Sequence, residues 1–236
     1  MSRRTWVSLL TASISRARPT RSWVTSVVKK PSKPRPSSSL SVSAENRADA
    51  APATARLFFA LWPPAAVVSA LYAAAIQHAE ALGGKATRPE TLHLTLLFLG
   101  NFQVDRIPAL IEAARTVRFS KFSLNPGCLG AWSHNRLLWA GCREVPPALR
   151  ALVAELQRAL DDGGLFSAST ARDFVPHLTL VRKLARQPAA EELQADWPPL
   201  AWSVSEFVLL QSQRESHGSR YATRAQFPAD DDADIC

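Results

Sequence analysis

The chain has 236 residues, 47% of them apolar, which is enough for one domain of ordinary size plus a tail. It contains no apolar run of the roughly eighteen residues a membrane span needs. Its three cysteines lack metal-ligand spacing, which argues against a disulfide framework and for an intracellular chain. The formal charge of +8 belongs to the first 55 residues, where ten basic side chains face only Glu45 and Asp49; the remainder is neutral and gives no basis for a broad polyanion-binding face.

Residues 1–55 read as a disordered basic leader, rich in Ser, Arg and Pro and free of acid before Glu45. Trp6, Leu9, Leu10 and Ile14 fall on one side of a short helix, as in an organelle transit peptide; the competing reading is a dispensable extension. The expected location is accordingly cytoplasmic, or organellar if the leader is a true import signal. One ordered domain is expected over residues 56–228. Residues 229–236, with Asp230, Asp231, Asp232 and Asp234, read as an acidic flexible tail.

Within the domain, Arg56 to Trp62 is a short apolar run stopped by Pro63-Pro64 and predicts a buried strand. Ala65 to Ala81 predicts a helix closed by Gly83-Gly84. Leu92 to Leu99 predicts a strand, and Asp105 to Thr116 a helix with Asp105 near its N-cap. Phe119 to Trp132 and Arg136 to Cys142 predict strands around a turn at Ser133-His134-Asn135. Leu149, Leu152, Val153, Leu156 and Leu160 recur at helical spacing from Pro146 to Leu160. A strand from His177 to Lys183, a short helix from Ala189 to Ala195, and a hairpin of Trp202 to Gln211 with Arg220 to Phe227 complete the chain. The order is a loose duplication. It predicts an α+β fold: two pseudo-symmetric lobes of mainly antiparallel sheet, outer helices, and a central cleft.

The tetrapeptide His-Leu-Thr-Leu occurs twice, at His93–Leu96 and His177–Leu180. On a strand, His93 and Thr95 share one face, as do His177 and Thr179, with imidazole and hydroxyl about 7 Å apart. A single His-x-Thr is ordinary core; two identical copies among only five histidines are not. Facing each other, they supply two imidazoles and two hydroxyls to one tetrahedral anion. One imidazole could take a proton from water while the other gives one to a departing alkoxide, and the threonines could donate to non-bridging oxygens. No sequence pattern proposes a metal, a serine nucleophile or a glycine-rich phosphate loop. Phe59 could stack on a base or simply fill the core. His78, His134 and His217 lack the companion threonine and read as structural.

Several further stretches complete a pattern: Arg56-Leu57-Phe58-Phe59-Ala60-Leu61-Trp62-Pro63, Arg88-Pro89-Glu90-Thr91-Leu92-His93, Phe98-Leu99-Gly100, Phe174-Val175-Pro176-His177 with Arg182-Lys183, and Leu209-Leu210-Gln211-Ser212 with Gly218-Ser219-Arg220-Tyr221. In this order, from Arg56 to Phe227, the chain resembles the two-histidine phosphoesterases, specifically the RNA 2′,3′-cyclic phosphodiesterases also called 2′-5′ RNA ligases. The resemblance implies hydrolysis of a ribose 2′,3′-cyclic phosphate to a 2′-phosphomonoester without metal or cofactor. It makes His93 the proton donor, His177 the acceptor and Arg182 a phosphate-binding residue beside Thr95 and Thr179. The expected partners are RNA with cyclic ends or cyclic nucleotides, and the expected state is a monomer. Ligation to a 5′-hydroxyl and binding without turnover stay open as alternatives.

Overall fold

The first apolar run forms strand β1 over Thr54–Leu61, two residues earlier than its sequence suggests, in the computed structural model, which describes residues 52–167, 174–194, 200–216 and 218–230. The leader up to residue 51, the tail from residue 231, Ala195 and His217 lie outside the described residues. Asp230, at the head of the expected tail, is ion-paired to Arg118 at 2.8 Å.

Pro63-Pro64 cannot continue a ladder, and helix α1, Ala65–Leu82, starts directly after them. Gly83 ends it in the left-handed region at φ 63°, with no room for a Cβ beside Ala185. By length and composition α1 could cross a membrane, but Val67, Leu71, Ala75 and Leu82 are buried in the core, which accounts for its apolar face. Strands β2 (Lys85–Ala86) and β3 (Leu94–Gln103) follow, separated by a 3₁₀ turn at Pro89–Thr91. Helix α2, Ile107–Arg115, is entered through another 3₁₀ turn, Val104–Arg106, so Asp105 is not its cap.

The expected strand from Phe119 breaks at Asn125-Pro126-Gly127 into β4 (Phe122–Leu124) and β5 (Cys128–Trp132), because Pro lacks the ladder donor and Gly127 N–H turns back to Asn125 O at 2.8 Å. Then come β6 (Leu137–Gly141), helix α3 (Pro147–Asp162) and β7 (Leu178–Arg182). The expected helix at Ala189 to Ala195 is a series of turns over the described part. The last expected hairpin is divided: β8 (Trp202–Val204) leaves to pair with β4, while β9 (Glu206–Glu215) and β10 (Gly218–Pro228) pair with each other.

The fold is α+β with antiparallel pairing, and its duplication is explicit. β1-α1-β3 and β6-α3-β7 are equivalent strand–helix–strand units, each ending on a His-x-Thr strand. Rather than two separate sheets, the halves join in one, ordered β10-β9-β1-β3-β7-β6-β5, with β2 on β7. The seam is a single residue pair, Leu94 with Leu178. Each of these leucines lies between the His and Thr of its own motif, so a local two-fold axis passes between them. The main core lies on one face of the sheet, where α1 packs against β7 and α3 against β3. The other face is left for the cleft.

Candidate active site

Antiparallel register about the Leu94–Leu178 pair sets His93 across from Thr179 and Thr95 across from His177. The two imidazoles are thus diagonal neighbours, with Cβ atoms about 7–8 Å apart. All four side chains line a cleft of about 800 Å³. The hydroxyls of Thr95 and Thr179 have no hydrogen-bond partner among the described residues and remain free to donate to a ligand.

Each histidine is oriented in the same way. His93 Nδ1 lies 2.8 Å from the carbonyl oxygen of Thr91, and His177 Nδ1 lies 2.8 Å from that of Val175. A carbonyl only accepts, so each Nδ1 carries the hydrogen and donates it, leaving Nε2 as the reactive atom. The Thr91 carbonyl is itself fixed: Thr91 N–H and Oγ1–H both donate to Arg88 O, each at 2.9 Å.

Aromatic walls complete each half. His93 sits between Phe58 and Tyr221, at ring-centroid distances of 5.0 and 5.1 Å. His177 meets Trp132 edge-on at 4.5 Å, with Trp139 behind it at 6.4 Å. Trp139 can lie there because its cross-strand partner is Gly130, where a Cβ would stand 2.1 Å from the indole. Burial penalises the imidazolium and pushes His93 down to about 4; the Thr91 carbonyl pulls upward, and Arg182 and His177 add smaller downward pushes. His177 is lowered as well, first by burial and then by Arg182, against the pull of the Val175 carbonyl. At neutral pH the free site therefore holds two neutral imidazoles.

Arg182 reaches the cleft by way of a bulge. Along β7, Trp139 pairs with Thr179 but Leu138 pairs with Val181, so Leu180 is an extra residue. Without it, Arg182 would point to the side opposite His177; with it, Arg182 shares the face of Thr179. The same device occurs in β3, where Ala60 pairs with Thr95 but Phe59 with Leu97, making Leu96 the extra residue. Phe98 thereby joins Thr95 on the cleft face and is 50% exposed, enough for a ligand to cover. Phe98 and Arg182 are thus equivalent positions, each three residues after its threonine.

Phe59 does not belong to the site. It is fully buried and packs against Phe207 and Phe227, both at 6.0 Å, while its neighbour Phe58 faces the cleft. One residue along a strand changes the face, and β1 is apolar on both. Phe98, Phe58 and Tyr221 are the rings that residue-type reasoning passed over. The signal for Phe98 was available in the repeat, as the counterpart of Arg182.

Arg56, Lys85, Arg88, Arg182, Lys183 and Arg214 line the cleft, and among the described residues no Asp or Glu does. Among the described residues no group of three His, Cys, Asp or Glu could hold a metal ion. Cys128 and Cys142 are free, and burial raises both thiols, so neither is an activated nucleophile.

A duplicated antiparallel sheet that presents two imidazoles, two hydroxyls and a guanidinium to one cleft defines a two-histidine phosphoesterase. The family profile described as the 2′-5′ RNA ligase superfamily matches residues 63–216, both motifs included, and the chain belongs to that superfamily. It is 32% identical over 168 residues to the RNA 2′,3′-cyclic phosphodiesterase of Escherichia coli, covering 70% of this chain and 92% of that one. It is 30% identical over 187 residues to the RNA 2′,3′-cyclic phosphodiesterase of Thermus thermophilus, covering 73% and 89%. In structure it is similar to E. coli LigT complexed with 3′-AMP, with a TM-score of 0.66 and 28% identity over 76% of this chain and all of that one.

Proposed function

We propose that the chain hydrolyses terminal ribose 2′,3′-cyclic phosphates of RNA to 2′-phosphomonoesters. The observation that carries this reading is the pair of equivalent imidazoles, each with Nδ1 tied to a backbone carbonyl and Nε2 free, across one cleft rich in basic side chains. His177 takes a proton from the attacking water, and His93 gives one to the departing 3′ oxygen. Low proton affinity makes His93, once protonated, a strong acid, which suits a donor to an alkoxide. The cyclic phosphate brings a negative charge into a site whose imidazoles are neutral, so substrate binding favours the one proton the reaction requires.

Arg182, beside His177, binds non-bridging oxygens with Thr179 and Thr95, stabilising charge that grows as phosphorus is attacked. Phe98, exposed in the other half of the cleft, offers a platform for the terminal base. A reducing, cytoplasmic setting fits the two free thiols. Incubating the protein with adenosine 2′,3′-cyclic phosphate in EDTA should give the 2′-monophosphate alone, as read by ³¹P NMR. Adding an RNA with a 5′-hydroxyl tests whether that hydroxyl can replace water. The 3′-monophosphate as product, or activity that disappears with chelator, would contradict this reading; binding without turnover would reduce the chain to a recognition module.

A further inference from the structure

The cleft holds more positive charge than a cyclic phosphate can use. Arg115, Arg118, Arg158, Arg186 and Arg220, all outside it, are each paired to a carboxylate. Of the six cations that line it, only Arg88 has such a partner among the described residues, Glu90. A cyclic phosphodiester carries one negative charge. Arg182, with Lys85 paired opposite it on β2, already answers that charge beside the histidines.

Arg56 and Arg214 stand elsewhere. Ala60 on β1 is level with Thr95, and Arg56 lies four residues further along that strand, about 13 Å away. Its guanidinium carbon sits 4.9 Å from the centre of the Phe98 ring, so it borders the surface offered to the base. Arg56 pairs across strands with Ser212 on β9, and Arg214 follows on the same face two residues, about 7 Å, beyond. Both arginines are exposed, and neither has a carboxylate or hydrogen-bond partner among the described residues. The positive surface therefore leads from the histidines to Arg56 and on to Arg214. The head group of Arg56 reaches back over Phe98, which is level with Phe58 and so about 7 Å along the strand from Thr95.

We propose that Arg56 and Arg214 form a subsite for the phosphate that joins the terminal nucleotide to the rest of an RNA strand. This rests on the cyclic phosphodiesterase reading and adds to it the two residues that favour an oligonucleotide end over a free cyclic mononucleotide. Neighbouring guanidiniums repel each other, and a bridging phosphate relieves that repulsion while accepting from both forks.

The test compares kcat/KM for adenosine 2′,3′-cyclic phosphate with that for the dinucleotide ApA ending in a 2′,3′-cyclic phosphate, at several salt concentrations. The unaltered protein is expected to favour the dinucleotide by about tenfold or more, with a steeper salt dependence. In an Arg56→Ala, Arg214→Ala double variant the preference should fall to near unity, and Arg214→Lys alone should keep much of it. Equal kcat/KM for the two substrates in the unaltered protein would overturn the subsite. So would a preference that survives the double variant, or an equal loss on both substrates, which would mark general electrostatic steering. If neither substrate is hydrolysed, the catalytic reading fails, and the subsite is judged by the same ratio in equilibrium binding.

Discussion

Alanine at His93 or at His177 is expected to lower kcat by about 10²–10⁴-fold while leaving the fold intact. Both rings are only partly buried and each makes one side-chain hydrogen bond, to a carbonyl two residues earlier in its own chain segment. Truncation therefore removes a proton-transfer group without opening the main core, which lies on the other face of the sheet. Far-ultraviolet circular dichroism and the melting temperature check the fold, and single-turnover rates on a cyclic nucleotide check the chemistry. Because the halves are equivalent in backbone but unequal in burial, the two variants should differ in pH dependence. His177→Ala loses the base, so added hydroxide should partly restore its rate. His93→Ala loses the acid, so it should favour substrates whose leaving oxygen needs no proton.

Replacing Arg182 by alanine is the second large effect, expected at about 10²–10³-fold in kcat. Its guanidinium shares the cleft face with Thr179 only because Leu180 is bulged out of the ladder, and among the described residues no carboxylate is paired to it. Lysine should recover a minor part, since it restores charge but not the planar fork that binds two phosphate oxygens together. A second readout separates this role from packing. Arg182 helps hold both imidazoles below their ordinary range, so its loss should move both upward. In the unaltered protein one proton must be added to a neutral pair, and kcat/KM should peak below pH 6.5, falling at lower pH as the base is protonated too. In Arg182→Ala that peak should shift to higher pH. A steady-state pH series on both proteins measures it.

His93, Thr95, His177 and Thr179 were readable in the sequence because a polar pair repeated inside two apolar strands has no ordinary packing explanation. Their meeting was harder to see: it depends on the Leu94–Leu178 seam, a contact between residues far apart in the chain. Alternation alone would have sent Arg182 to the wrong face. The bulge that corrects it leaves no mark beyond two adjacent buried residues, Leu180-Val181, mirrored by Leu96-Leu97. For a related reason nothing in the sequence separates Phe58 from Phe59, since a strand apolar on both faces carries no period. The hold of Arg88 on Ser219 O at 2.6 Å spans 131 residues, and no local pattern announces it.

The most direct test is ¹⁵N NMR of the histidine side chains, titrated with pH and then with adenosine 2′-monophosphate. Five histidines are present, and two should behave as a pair: His93 and His177 protonated at Nδ1, neutral at Nε2, and titrating below pH 6.5 in the free protein. Saturating nucleotide should shift both Nε2 resonances and raise the proton affinity of at least one. If only one ring responds to the nucleotide, or if either carries its proton on Nε2 in the free protein, the two imidazoles do not share one phosphate and the account is wrong.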